Sequence, residues 1–287
     1  MTRTHKNLEH LALPLVLQES LLPRTQGATE YTREYGNVCV SVSGGVSRGK
    51  RIPLPSGIIA RRILYWSITK ARASGSREVK IHGSPRFLQE LSLSATSSRR
   101  RALKTQLIRL VHTSITVEEF PSPKSKEDPV ITIPSVPLFE CLYLGDVIYT
   151  GTKEEQLPLF KSSIVFSERF YKSVVELPHQ PINKDALFSL QSPLASDIYL
   201  WVQRRGQTIN YQQEFSWGSM YQQFAQPKET KSNFRKSFTN AIGSINEVTN
   251  KFSNSVGYVN DKGFMLQSLP QQHYNDTNKS SRQQAQR

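Results

Sequence analysis

The chain has 287 residues, with 37 Lys and Arg against 23 Asp and Glu and a net charge of +14. That length allows one or two domains with a sizeable core, and the excess of cations favours a polyanionic partner such as nucleic acid. Hydrophobic residues at 37% exclude a wholly disordered chain, and two cysteines exclude a disulfide framework, so the chain reads as a reduced, cytoplasmic protein.

Residues 1–45 lack a sustained period and read as a flexible arm with a short apolar anchor, Leu11 to Leu17. That anchor is too short to span a bilayer and lacks a signal-peptidase site. Gly44-Gly45-Val46-Ser47-Arg48-Gly49-Lys50-Arg51 has the glycine and lysine spacing of a phosphate-binding loop. Arg51 stands where a magnesium-binding Ser or Thr belongs, however, and Pro53 and Pro55 oppose a helix there. A flexible basic loop near DNA is the expectation.

A helix is predicted from Ile58 to about Ala73, with Ile59, Ile63, Trp66 and Lys70 on one face. Glu78 to His82 alternates as a strand, and Ser84 to Leu91 reads as a short helix. A longer helix, capped by Ser97 or Ser98, runs to Val111. Ile115–Phe120 and Val130–Ile133 follow as strands, with a loop of Pro, Ser and Lys between them.

A strand-and-helix connector, Ser163 to Val175, leads into a second block of the same order. Its helices are Ile182–Leu190, Ser192–Arg204, Trp217–Ala225 and Lys231–Val248, with an extended piece at Thr208–Tyr211. A hairpin around Asn260-Asp261-Lys262-Gly263 ends it. Residues 271–287 are almost wholly Gln, Asn, Ser and charged residues and read as a disordered tail.

Helix, strand, helix, helix, hairpin is the order of a winged helix, met twice. The expected fold class is α+β: two tandem winged-helix domains, 46–150 and 151–270, between the arm 1–45 and the tail 271–287. A winged helix reads DNA with its last helix in the major groove. In the first block Leu103, Leu107 and Leu110 mark the buried side of that helix. Ser98, Arg99, Arg100, Arg101, Lys104, Thr105 and Arg109 are the candidate DNA contacts, and no acid occurs from Leu91 to Val117. In the second, Phe234, Phe238, Ala241, Ile242 and Ile245 are apolar, and Lys231, Ser232, Asn233, Arg235, Lys236 and Asn240 are the candidates.

No histidine pair has metal-ligand spacing, no nucleophile elbow occurs, and no paired carboxylates form a catalytic set. The reading is therefore a DNA-binding protein without catalytic residues, metal or cofactor. A transcriptional repressor is the rival reading, and a DNA-processing enzyme a weaker one.

Phe166-Ser167-Glu168-Arg169-Phe170, Pro178 and Ser192-Pro193-Leu194-Ala195-Ser196-Asp197-Ile198-Tyr199-Leu200-Trp201 resemble the RepA-type plasmid replication initiators. Trp217, Gln223-Phe224 and Phe234 follow in that family's order. Upstream, Pro55-Ser56-Gly57 with Ala60-Arg61, and Gln106-Leu107 with Arg109-Leu110, are also similar to it. The resemblance spans about Pro53 to Gln267. It implies an initiator that binds repeated double-stranded sites in an origin, helps open it, and recruits the host replication initiator and helicase. It also implies, often, a homodimer that represses its own promoter; a membrane partner is not expected, because no predicted helix pairs a basic face with a large exposed apolar one. The chain departs from the family at Ser94–Arg99, where a glycine-rich turn is common.

Overall fold

The computed structural model describes residues 10–14, 22–35, 37–122, 126–144, 162–176, 179–206, 208–250 and 256–268. The expected tail, 271–287, and residues 15–17 of the expected anchor lie outside them, while the start of that anchor falls within the first strand. The fold is mixed α+β, with small antiparallel sheets and, among the described residues, eight helices.

Five strands precede the first helix: β1 (His10–Pro14), β2 (Glu30–Tyr35), β3 (Val38–Gly44), β4 (Val46–Ser47) and β5 (Lys50–Arg51). The expectation of an arm is thus corrected at 30–44, where β2 and β3 pair with each other. Little in Glu30-Tyr31-Thr32-Arg33-Glu34-Tyr35 marks a strand, since only Tyr31 is buried among its described side chains. Its partner β3 supplies the apolar face, with Val40 and Val42 buried.

Next come α1 (Gly57–Ser74), β6 (Glu78–Ile81), α2 (Ser84–Glu90), α3 (Ser97–Val111), β7 (Thr113–Glu119), β8 (Ile131–Pro137), β9 (Phe139–Tyr143), β10 (Ser162–Phe166) and α4 (Glu168–Glu176). The sequence suggests that β7 and β8 make the hairpin closing against β6. They instead extend the β2–β3 pair into a four-stranded sheet in the order β2-β3-β7-β8. β6 is joined by β10, and β10 by β9. The reason is burial: Val79 and Ile81 of β6 meet Ile164 and Phe166 of β10, all at most 4% exposed. The connector strand expected at Ser163 therefore completes the sheet of the first block.

The remainder is β11 (His179–Asn183), α5 (Lys184–Ser189), α6 (Pro193–Gly206), β12 (Gln213–Ser216), α7 (Trp217–Phe224), α8 (Lys231–Asn250), β13 (Gly257–Val259) and β14 (Gly263–Leu266). The helix expected from Ile182 begins two residues later, because His179–Asn183 pairs with β1. The Asn183 carboxamide oxygen then caps α5 by accepting from Ala186 N at 2.9 Å. The three-stranded sheet here runs β12-β14-β13. Its turn is held by Asn260 Oδ1, which accepts from the amides of Lys262 and Gly263, each at 2.9 Å.

The two blocks share one buried apolar cluster reaching from Leu22 to Leu266. Two successive arginines of α1 fasten it. Arg61 forms a bidentate pair with Asp197 of α6, with both N–O distances 2.7 Å. Its other donors reach the carbonyls of Leu22 at 2.7 Å, and of Pro23 and Gly57 at 3.2 Å. All five guanidinium donors are thereby used, which a fully buried arginine requires. Burial alone disfavours the charge; Asp197 outweighs that, and the Arg61 pKa stands above the ordinary arginine value.

Arg62 donates to the carbonyls of Leu91, Ser92 and Leu190 at 3.0–3.1 Å, and to that of Phe188. Burial, and then the nearby charge of Arg99, pushes its pKa down to about 10, so it stays a cation at neutral pH. It bridges the α2–α3 turn of the first block to the α5–α6 turn of the second.

An uncompensated charge at 2% or 4% side-chain exposure is costly. Asp197→Ala is expected to lower stability by about 3–5 kcal/mol, read as the shift in a urea unfolding curve. Arg61→Met with Asp197→Leu is expected to recover most of that loss, because no lone charge remains.

Candidate nucleic-acid interface

The sequence places two polar helix faces outward, and α3 and α8 carry them. α3 buries Leu103, Leu107 and Leu110, each at most 1% exposed, and packs on α1, α2 and β9. Its N-cap is Thr96, ahead of the expected Ser97 or Ser98. The Thr96 hydroxyl accepts from Arg99 N at 3.3 Å and lies 3.2 Å from the Ser98 hydroxyl. Gln106 is buried, and its carboxamide oxygen accepts from Ser56 N at 3.0 Å, which fixes the start of α1 against the middle of α3.

The seven candidate residues of α3 divide into two groups. Ser98 and Arg101 are exposed, whereas Arg99, Arg100, Lys104, Thr105 and Arg109 are half-buried. The Thr105 hydroxyl donates to Arg101 O at 3.0 Å, back along its own helix. Arg100 Nε and Arg109 Nη1 are shielded from solvent, and neither has a hydrogen-bond partner in the chain. The N-terminal half of α3 thus presents a cationic surface over a partly covered base. The helix ends at His112, whose Nδ1 lies 2.8 Å from Ile108 O.

The face on α8 is more open. Phe234, Phe238, Ala241, Ile242 and Ile245 are buried against α6 and its neighbours. Lys231, Ser232, Asn233, Arg235, Lys236 and Asn240 are all exposed. Arg235 alone leans back, its guanidinium carbon 5.1 Å from the centroid of the Trp217 ring. Phe238 anchors the helix among Trp217, Phe224, Phe234 and Phe264, with centroids 5.6–6.0 Å away. A cleft of about 620 Å³ opens beside this face, bordered by Arg24, Ser192, Lys228, Ser237 and Asn240.

Residues of the expected arm hold the corner between α7 and α8. Arg24 pairs with Glu229 at 2.5 Å and donates to Phe224 O at 3.0 Å. Arg33 donates to Ala225 O at 2.8 Å. Nothing local in the sequence signals these contacts, because their partners lie about 190 to 205 positions away. Arg61 and Asp197 stand in the motifs quoted above, yet a motif gives no indication that they meet.

No group of three or more His, Cys, Asp and Glu among the described residues could hold a metal ion. No described helix is long and apolar enough to cross a membrane.

This α+β architecture is shared with proteins of known structure, although the chain matches no family model and no curated protein sequence. Crystal structures of domains 2 and 3 of RctB have the same overall fold. One superposes with a TM-score of 0.57 at 11% identity, covering 89% of this chain and 97% of that one. A second, RctB residues 155–483, gives a TM-score of 0.51 at 11% identity over 80% of this chain and 82% of that one.

The cap assignment has a direct test. Thr96→Ala is expected to destabilise by about 0.5–2 kcal/mol, whereas Ser97→Ala stays within about 0.5 kcal/mol. Thermal unfolding of the two variants separates them.

Proposed function

We propose that the chain is a sequence-specific double-stranded DNA-binding protein that initiates replication of a plasmid. In this reading it binds repeated sites at the origin and at its own promoter, as a cytoplasmic protein without catalytic residues or cofactor. The observation that carries the reading is the pair of outward polar helix faces, α3 and α8, mounted on helices that are tied together. α3 packs on α1 and α8 on α6, and Arg61 of α1 holds Asp197 of α6.

Each block supports a winged-helix reading. The order in both is helix, strand, two helices and a hairpin, with the strand before the helix pair hydrogen-bonded to the last strand of the hairpin. In the first block the β7–β8 pair is an insertion between the reading helix and that hairpin. The fold shared with domains 2 and 3 of RctB, a replication initiator, supports the initiator role, as do the RepA-type motifs. Helping to open the origin, recruitment of the host initiator and helicase, and a self-repressing homodimer belong to the same proposal through those motifs.

The two faces suit different tasks. Exposed Asn233 and Asn240 can pair bidentately with adenine, and Lys236 can reach guanine or phosphate. The arginines of α3 meet phosphates, which position the protein without specifying sequence. An electrophoretic shift series with the full chain and the DNA upstream of its own reading frame tests this. Affinity is expected to fall steeply with salt, at about 0.9 counterion per neutralised phosphate. Asn240→Ala is expected to cost about 1–3 kcal/mol on the specific site and to relax preference at one position. Arg99→Ala weakens specific and random duplexes alike. Equal losses on both duplexes for Asn240→Ala would remove the base-reading role from α8.

A further inference from the structure

The glycine-rich basic segment that imitates a phosphate-binding loop takes a different form. β4 and β5 pair antiparallel, Val46 with Arg51 and Ser47 with Lys50, as a two-residue hairpin turning at Arg48-Gly49. No helix opens on it, so the amide cradle of a nucleotide site is missing. Both turn residues have positive φ, 50° at Arg48 and 74° at Gly49, as a type I′ turn demands. Asn, Asp or Gly is the usual first residue of such a turn. An arginine there is uncommon and puts a guanidinium at the tip against the backbone preference.

The root of the hairpin is fixed. Gly45 N donates to His112 O at 2.6 Å, and Ile52 N to Gly45 O at 2.8 Å. Gly44 N donates to Thr29 O at 2.8 Å, and Leu54 N to Ala28 O at 2.7 Å. A Cβ on Gly44 would lie 2.1 Å from Ile52 O, so only glycine permits that closeness. His112 is the C-cap of α3, so the hairpin springs from the end of the acid-free helix. Arg48, Lys50 and Arg51 are all exposed. The carboxylate in reach is Glu30, 3.2 Å from Arg51, in a pair whose side chains are 59% and 67% exposed. A pair so open to solvent contributes little and can exchange for a phosphate.

We propose that this hairpin is a third DNA contact, with Arg48 entering the minor groove beside the major groove that α3 occupies. The inference rests on the DNA-binding reading above and deepens it. Fifteen helical residues span about 22 Å, against a major groove about 12 Å wide. With the N-terminal half of α3 in the groove, its His112 end stands at the phosphate ridge. A two-stranded ribbon with strands about 4.8 Å apart is too broad, with its side chains, for a minor groove about 6 Å wide. A single arginine fits. Lys50 and Arg51 then stay on the phosphates of the rim. An arginine in the minor groove favours a narrow, A·T-rich tract, so a sequence preference arises outside the bases met by α3.

The test uses the full chain and a duplex that it selects from a random-sequence pool. A·T pairs on the flank next to the His112 end are replaced by G·C, or by inosine·C. Inosine·C lacks the guanine amino group in the minor groove but keeps the major-groove face of G·C. Binding is expected to weaken with G·C and to recover with inosine·C. Arg48→Asn suits the turn, so it leaves the fold intact. It is expected to lower affinity about tenfold and to equalise the three flanks. Lys50→Gln is expected to weaken all three alike and to reduce the salt slope by about one. If Arg48→Asn binds like the parent with the flank preference unchanged, while Arg101→Ala and Asn240→Ala weaken binding, the hairpin contact is wrong and the DNA reading stands. If the pool yields no selected duplex, both fail together.

Discussion

A buried guanidinium is costly unless its donors find acceptors, and Arg61 satisfies all five of its own by drawing three parts of the chain to one point. Leu22 and Pro23 come from the N-terminal segment, Gly57 from the first turn of α1, and Asp197 from the far block. Arg62, one residue on, gathers carbonyls at the α2–α3 and α5–α6 turns through its two terminal nitrogens, while its Nε is buried without a partner in the chain. Adjacent helix positions point about 100° apart, so the two side chains grip different neighbours. Together they prevent α1 and α6 from sliding or rotating past one another. The outward faces of α3 and α8 inherit that fixed relation.

Charge is distributed unequally between those faces. On α3 Arg99, Arg100 and Arg109 sit half-buried while Arg101 is exposed, and one guanidinium nitrogen each of Arg100 and Arg109 is shielded without a partner. Such groups gain most from a polyanion, because shielding from water weakens the competition. On α8 the candidate polar side chains are exposed, with Arg235 lying over the Trp217 ring. The aromatic cluster about Phe238 holds the helix axis beneath them.

Local periodicity made the helices legible. The apolar stripes Leu103-Leu107-Leu110 and Phe234-Phe238-Ala241-Ile245 are buried as the 3.6-residue period predicts, and the turn at Asn260 lies where the sequence signals it. Strand pairing was less legible, because a strand's partner is not encoded in its own residues. β7 and β8 alternate and look like a hairpin against β6, yet the better apolar match for β6 is β10, across residues 145–161. Strand β2 carries almost no apolar pattern and exists because β3, held on its other side by β7, offers it an edge. The exposure of the α8 candidates followed from helical geometry. The Arg61–Asp197 pair did not, since a polar residue on a buried helix face shows that it needs a partner without saying which.

The pairing of β10 with β6, and of β1 with β11, bears on how the chain is made. A polypeptide emerging from the ribosome folds a module early when the module's contacts are close in sequence. Here the first sheet waits for residues 162–166 and the N-terminal strand for residues 179–183, while Arg24 waits for partners 200 and 202 positions downstream. The first block therefore leaves the exit tunnel incomplete, with the apolar edge of β6 uncovered until most of the chain is synthesised. During that interval Val79 and Ile81 lack the strand that covers them in the finished fold, the condition under which a growing chain is most exposed to mispairing.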